Sequence, residues 1–364
     1  MSAPSRMRAS ARAVVLVALV GTLLGAAISI AYVATQPSPC CGDLKPFVSI
    51  LPVPLSRIDA TLAEGDGHAF AAIAEDPLMR RPEVFQDPRD FAYREQRPVW
   101  GYLAWAGSLG GADRVGWVLL MLTVLSCGFA TTVTALLLLD RQSSTWWALL
   151  VPVVGFETLT ELTPELFAFA LLGLAVWCWT RSRRGAAVAL LSVAALTRET
   201  MLVGVAAIAL WEMWEHRARI THGIRHAALL AIPFLVYGAW IVVVRLRLGN
   251  WPFNRSGERL GFPGAGLADG FGRAGAPATV AFWVLVGVAL VVTGLALARR
   301  DPLTWIATAF LALGAVLGPD VWITNAGYQR TLVPLFLCGA IAVIGGIGER
   351  RRLSARAAAD TRSA

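Results

Sequence analysis

Long apolar runs separated by short polar breaks dominate the chain. The first run, Ala13 to Thr35, follows Arg6, Arg8 and Arg12. Its apolar core exceeds the roughly 7–15 residues of a cleaved signal, so we read it as a membrane anchor. Further apolar runs lie at about 115–139, 145–180, 185–214, 227–247, 279–298, 303–317 and 331–348. A helix needs about 20 residues to cross a bilayer, and two of these runs are too long for one crossing. The run 145–180 holds Glu157, Glu161, Pro164 and Glu165, while 185–214 carries Arg198 and Glu199 at its middle. Charges at the bilayer centre are costly, so each long run is expected to be a pair of shorter segments. The pattern predicts an all-α, polytopic transmembrane helical bundle of about ten segments, or eight if each long run crosses once. Segments 145–156, 185–197 and 303–317 are short enough to dip into a bilayer rather than cross it.

Charge then orients the chain. Arginines fall in clusters beside the apolar runs, which is how topology is written. With paired segments, Arg181–Arg184, Arg217, Arg219, Arg225, Arg299–Arg300 and Arg350–Arg352 all lie on the cytoplasmic side. The expected order is a cytoplasmic N-terminus at 1–12 and a membrane core at 13–215 with a large extracytoplasmic loop at 36–98 that carries short helices. C-terminal transmembrane helices follow at 216–348, with outer loops 248–278 and 318–330, then a cytoplasmic basic tail at 349–364. The expected location is the inner (plasma) membrane, multi-pass.

Composition agrees. The chain is 56% hydrophobic and only 15% charged, against about a quarter charged in soluble domains. The net charge of +8 would suit nucleic acid, but it sits in scattered topological clusters, so nucleic acid is not expected as a partner. Cys127, Cys178 and Cys338 lie inside apolar runs and read as small packing residues. Adjacent Cys40 and Cys41 have no metal-ligand spacing.

The polar residues gather on the outer side in this topology. The first loop offers Asp66 and His68 in Gly65-Asp66-Gly67-His68, then Glu75-Asp76-Pro77, then Arg94 and Arg97 in Tyr93-Arg94-Glu95-Gln96-Arg97-Pro98. Later turns offer Glu161 and Glu165, Arg198 and Glu199, and Arg330. The glycines beside Asp66 would let backbone approach a ligand closely, and Ala69–Ala74 is apolar enough to lie on the membrane surface. Transfer of a sugar from a lipid phosphate needs a carboxylate to take the acceptor proton. It also needs cationic groups, or a metal, to hold the leaving phosphate. Arginine suits that task because its planar fork meets phosphate oxygens bidentately. Each residue also has a plainer reading. Asp66 is a turn residue, Arg94 and Arg97 are headgroup anchors, and Glu161 and Glu165 are acids in the first turn of a helix. His222 and His226 have a metal-compatible i,i+4 spacing, but the basic inner loop that carries them is explained by topology. Asn254-Arg255-Ser256 matches a glycosylation acceptor on the outer side, a triplet common by chance.

Four stretches together resemble the glycosyltransferase C superfamily, the polytopic enzymes that use polyprenyl-phosphate sugars, and within it the bacterial cell-surface glycopolymer type. They are GDGHAFAAIAEDP at 65–77, YREQRPVWGYLA at 93–104, ELTPELF at 161–167 and AALTRET at 194–200. The resemblance runs from about 14 to 215. It implies Asp66 as the catalytic base, Arg94 and Arg97 as donor or loop-ordering contacts and Arg198-Glu199 as part of the outer-face site. Their place on the outer side adds His68, Glu161, Glu165 and Arg330 as candidate substrate-binding residues. The resemblance further implies a polyprenyl-phosphate sugar donor and an envelope glycan or glycolipid acceptor. The cofactor stays open, a divalent cation being the one the chemistry allows. The chain departs from the family pattern at Pro164-Glu165, where the order is reversed, and at Gly101, where proline is expected. Alternatives of other classes are a transporter or flippase of lipid-linked sugars and a non-catalytic membrane assembly subunit.

Overall fold

The structure, a computed structural model, describes residues 3–36, 57–80, 88–255, 260–266, 268–269, 301–323 and 325–347, with positions 287, 291 and 294. Among these residues the chain is all-helical, with one isolated bridge between Leu260 and Leu317 and no strand. The N-terminal half comprises α1 (Ala3–Thr35), α2 (Arg57–Glu64), α3 (Gly67–Glu75), α4 (Pro88–Glu95), α5 (Pro98–Ser108) and α6 (Ala112–Asp140). A 3-10 turn at Thr145–Leu149 leads into α7 (Leu150–Val154), α8 (Phe156–Glu161), α9 (Glu165–Thr180), α10 (Arg184–Thr197) and α11 (Met201–Glu215). Next come α12 (Ile220–Leu229), α13 (Ala231–Leu248), a 3-10 turn at Pro252–Arg255 and α14 (Pro302–Val316). The last described elements are α15 (Pro319–Ile323), α16 (Asn325–Thr331) and α17 (Val333–Ile347).

Three helical stretches, Ser10–Thr35, Ala112–Asp140 and Gly223–Leu248, are long and apolar enough to cross a membrane. Leu16, Leu19, Leu23 and Ile30 on α1 and Leu235 and Leu246 on α13 are exposed. Apolar stripes of this extent call for a lipid solvent rather than water. Five further apolar helices are shorter: Thr145–Val154, Glu165–Thr180, Arg184–Thr197, Pro302–Val316 and Val333–Ile347. Most of the apolar run at 279–298 lies outside the described residues, as do residues 37–56 and Cys40 and Cys41 within them.

Both overlong runs break where their charges stand. In 145–180 the helix stops at Glu161, Leu162 adopts a left-handed backbone (φ 56°), and α9 restarts after Pro164. Proline has no N–H to give a continuing helix and pushes the preceding residue out of the helical region. Glu161 and Glu165 therefore stand on two different helices: the plainer reading holds for Glu165, in the first turn of α9, and is corrected for Glu161, which ends α8. In 185–214, α10 ends at Thr197 and Arg198 is extended (φ −151°, ψ 116°) before α11 begins. No glycine or proline marks that break; the partners of Arg198 and Glu199, described below, account for it.

Small residues let α1 and α6 pack closely. A Cβ on Gly21 would meet Thr131, one on Gly25 would meet Cys127, and one on Gly128 would stand 2.1 Å from the Thr22 hydroxyl. Gly21 and Gly25 are four apart, the small-xxx-small spacing by which helices approach in lipid. Cys127 Sγ donates to the Gly21 carbonyl at 3.4 Å, and Ser29 Oγ donates to the Leu159 carbonyl at 2.9 Å. The N-terminal helix is thus a packed member of the bundle.

Helices α2, α3 and α5 form a cap over one end of α6. Ile58, Leu62, Phe70, Ile73, Trp100, Leu119 and Leu162 share one apolar cluster. Ala69–Ala74 is buried in this cap throughout, so the expectation that it rests on the membrane surface is corrected. Phe70 and Ile73 need the same cover from water that the bundle already offers. The cap also explains Gly101: a Cβ there would fall 2.3 Å from Ile73 Cγ2. Gly128→Ala should lower the thermal midpoint in detergent, by an overpacking cost of about 1–3 kcal/mol. Adding Thr22→Ala should recover most of the loss, because it removes the hydroxyl that the new methyl strikes. A double variant as unstable as Gly128→Ala alone would place the strain elsewhere.

Candidate functional site

Five chain segments bring charge to the cap end. Asp66 closes the turn between α2 and α3, and Arg94 and Arg97 lie at the α4–α5 corner. Glu161 and Glu165 flank the α8–α9 break, Arg198 and Glu199 the α10–α11 break, and Arg330 comes from α16. The α4–α5 corner is held from α13. Tyr237 donates its hydroxyl proton to Gln96 Oε1 at 2.9 Å, and the Trp240 indole N–H donates to the Glu95 carbonyl at 2.7 Å. Pro98 at the first position of α5 turns the chain there.

Eight of the nine residues singled out from sequence meet in one network. Arg94 Nη1 donates to Asp66 Oδ1 at 2.8 Å. Arg330 Nη1 lies 3.0 Å from Asp66 Oδ2 and 2.6 Å from Glu161 Oε2. The Asp66 backbone N–H donates to that same Glu161 oxygen at 3.3 Å. Arg97 holds Glu199 with a two-pronged contact through Nε and Nη2, and Nη2 also donates to the Tyr93 hydroxyl at 2.9 Å. Arg198 Nη1 lies 3.0 Å from Glu165 Oε1. Four arginines thus face four carboxylates, a formally neutral set. Arg97 is 2% exposed and Arg198 7%, so neither is a lipid-headgroup anchor.

His68 is the ninth residue. Its Nδ1 sits 2.5 Å from the Gly65 carbonyl, and since a carbonyl only accepts, that nitrogen carries the proton. The glycines beside Asp66 serve close packing rather than an open ligand face. A Cβ on Gly65 would meet Glu161 Cγ at 2.9 Å, and one on Gly67 would meet the Glu161 carbonyl at 2.7 Å.

Electrostatics sorts the carboxylates. Burial pushes Asp66 up, but Arg94, Arg330, Arg97 and Arg198 outweigh it and hold the carboxyl well below the usual range. Burial opposes Glu199 as well, yet Arg97 and Arg198 bring it down to about 2. In Glu161 burial wins over Arg330 and the carboxyl titrates above its ordinary value. One network therefore holds firmly ionised acids beside one that takes a proton more readily.

Several neighbours carry no role in the sequence reading although they stand in its motifs. Tyr93 stacks under the Arg97 guanidinium, 5.0 Å from the ring centre. Glu95 is fully buried, and its carboxyl oxygens have no hydrogen-bond partner among the described residues. Burial, and then Asp76, raise it well above the usual carboxylate range. Alternating Arg and Glu in YREQRP was the available signal; which of them turns inward was not readable. His226 pairs with Glu212; the side chains of His222 and Asn254 lie outside the described residues.

No protein-family model, no curated protein and no solved structure matches the chain.

The depressed Glu199 gives a signed pH test. Its contribution to stability is present above its ordinary value near 4.5 and is lost as pH falls toward about 2. The shift corresponds to roughly 3–4 kcal/mol. Glu199→Gln should therefore lower the thermal midpoint in detergent by several degrees at pH 7. The gap from the parent protein should shrink by more than half at pH 3. An equal gap at both values would mean that Glu199 is not held by Arg97.

Proposed function

We propose that this chain is a membrane glycosyltransferase that moves a sugar from an isoprenoid-phosphate donor to an envelope glycan or glycolipid acceptor at the outer membrane face. The observation that carries this reading is the convergence of Arg94, Arg97, Arg198 and Arg330 from three segments onto one cluster. In this reading the carboxylates opposite them occupy the place of the donor phosphate. A phosphate entering the cluster takes Arg94 and Arg330 from Asp66, since a phosphate offers three oxygens to the same forks. Asp66, relieved of two cations, becomes a better proton acceptor at the moment the donor is in place. It then takes the proton of the acceptor hydroxyl as that oxygen attacks the anomeric carbon, and the bond to the prenyl phosphate breaks. The arginines hold the charge that develops on the leaving phosphate. A divalent cation at the phosphate remains compatible with this acid-rich site.

The topology proposed with it places both termini and the Arg181–Arg184 turn in the cytoplasm and the cap outside, with about ten segments in the membrane. The charges of the site stand at the breaks between helices, at one end of α9, α10 and α11, rather than along a path through the bundle. That arrangement favours transfer at one face over transport across the membrane.

Two experiments test the reading. A cysteine at Asp113, in the first turn of α6, should react with a membrane-impermeant thiol reagent in intact cells, and one at Ser182 should resist it. Both positions are exposed, and the background carries serine at the native cysteines. Reaction at Ser182 would remove the topology. Purified protein given radiolabelled polyprenyl-phosphate sugars and an envelope lipid extract should form labelled product. Asp66→Asn should cut turnover by about 10²–10⁴-fold with donor binding retained. Activity that survives Asp66→Asn and is abolished by Glu161→Gln or His68→Ala would move the base to that residue.

A further inference from the structure

At the other end of α11 stands a second cluster of ionisable groups. From Arg198 to Glu212 the chain climbs about 20 Å at 1.5 Å per residue, so the two clusters are separate. Glu212 and His216 are four apart on α11 and therefore share a face. His226, on α12, meets them after the intervening turn. Glu212 is fully buried. Its Oε1 lies 2.6 Å from His226 Nδ1 and 3.5 Å from His216 Nδ1, and one ligand atom from each of the three residues falls within 4.8 Å of the others. The two imidazoles meet edge to face, with ring centres 5.8 Å apart.

We propose that Glu212, His216 and His226 form a binding site for a divalent metal ion of the zinc class. The donor set, two imidazoles and one carboxylate, is one that zinc takes at about 2.0–2.1 Å. Tetrahedral bonds of that length put ligand atoms ~3.3 Å apart, and one ligand atom from each residue already lies within 4.8 Å of the others. Rotation of the rings supplies the rest. His216 Nδ1 lies 3.1 Å from the Glu212 backbone carbonyl, which only accepts, so that nitrogen carries the proton and Nε2 is the one to ligate. His226 Nδ1 turns toward the buried Oε1 itself. A divalent ion satisfies all three donors at once.

The surroundings are those of a held ligand. The Trp179 indole N–H donates to Glu212 Oε2 at 2.8 Å, which fixes the carboxylate and leaves Oε1 for the ion. Outer contacts of this kind orient metal ligands. Arg184 is the competing cation, but its guanidinium belongs to Trp179. Nη1 donates to the Trp179 carbonyl at 2.8 Å and the group lies 4.1 Å over the indole ring, while the distance from Nη2 to Oε1 is 3.5 Å. Three protein ligands leave a fourth position for water or an anion. The ion would tie α12 to α11, and through α12 the start of α13.

Full-length protein in detergent, with any affinity tag removed, is titrated with Co2+ and with Zn2+ against a chromophoric chelator. One equivalent should bind, with the visible absorption of tetrahedral cobalt, and Zn2+ should displace it. His216→Ala and His226→Ala should each weaken binding at least tenfold, while His222→Ala leaves it unchanged. His216→Cys should add a sulfur-to-cobalt charge-transfer band, a gain of signal that survives any loss of stability in the alanine variants. Absence of stoichiometric Co2+ binding by the parent protein would overturn the site. So would binding unchanged in both alanine variants, or a His216→Cys protein without the new band.

Discussion

Four arginines and four carboxylates, drawn together from widely separated stretches of the chain, are the constraint on which the cap end of this protein depends. Burying a charge is expensive, and a buried pair recovers that cost only with good geometry. None of the four arginines stands alone. Arg97 meets Glu199 through two nitrogens, and Arg330 reaches both Asp66 and Glu161. Removal of one member of such a set leaves an uncompensated charge and costs about 3–5 kcal/mol. The helix breaks at 162–164 and at 198–200 follow from the same requirement, because an unbroken helix would carry these groups away from their partners.

The cap exists to hold that set. Phe70, Ile73, Trp100 and Leu162 pack into one apolar layer beneath it. Trp100 donates its indole N–H to the carbonyl of Leu162, at 3.2 Å, at the left-handed residue that turns Glu161 inward. Gly65, Gly67 and Gly101 each lack a side chain where another group already stands. The geometry of the charges is thus fixed by close packing, which is what a preorganised site requires.

The far end of the bundle uses charge differently. Arg181 grips Asp140 and Arg141 grips Asp301 through paired nitrogens, which joins α6 to the end of α9 and to the start of α14. These are pairs at helix ends, each closed on itself. The group around Glu212 instead draws several nitrogens toward one buried oxygen, the arrangement on which the proposed metal site rests.

Much of this was legible in the chain. The apolar runs determined that the protein is helical and made for lipid, because backbone groups in a bilayer must be satisfied within the helix. Their excessive length, with charges in the middle, located both breaks, and Pro164 made one of them necessary. Asp66, Arg94, Arg97, Glu161, Glu165, Arg198, Glu199 and Arg330 stood out as charges beside apolar stretches. Their pairing did not follow from sequence, since nothing in the local pattern says that Arg330 reaches Asp66 or that Arg97 chooses Glu199 over its neighbour Glu95. Tertiary packing decided those partners, buried Ala69–Ala74 inside the cap, and brought His226 against Glu212. Local spacing fixes which residues share a face of one helix. Which faces meet is set by packing across the whole chain.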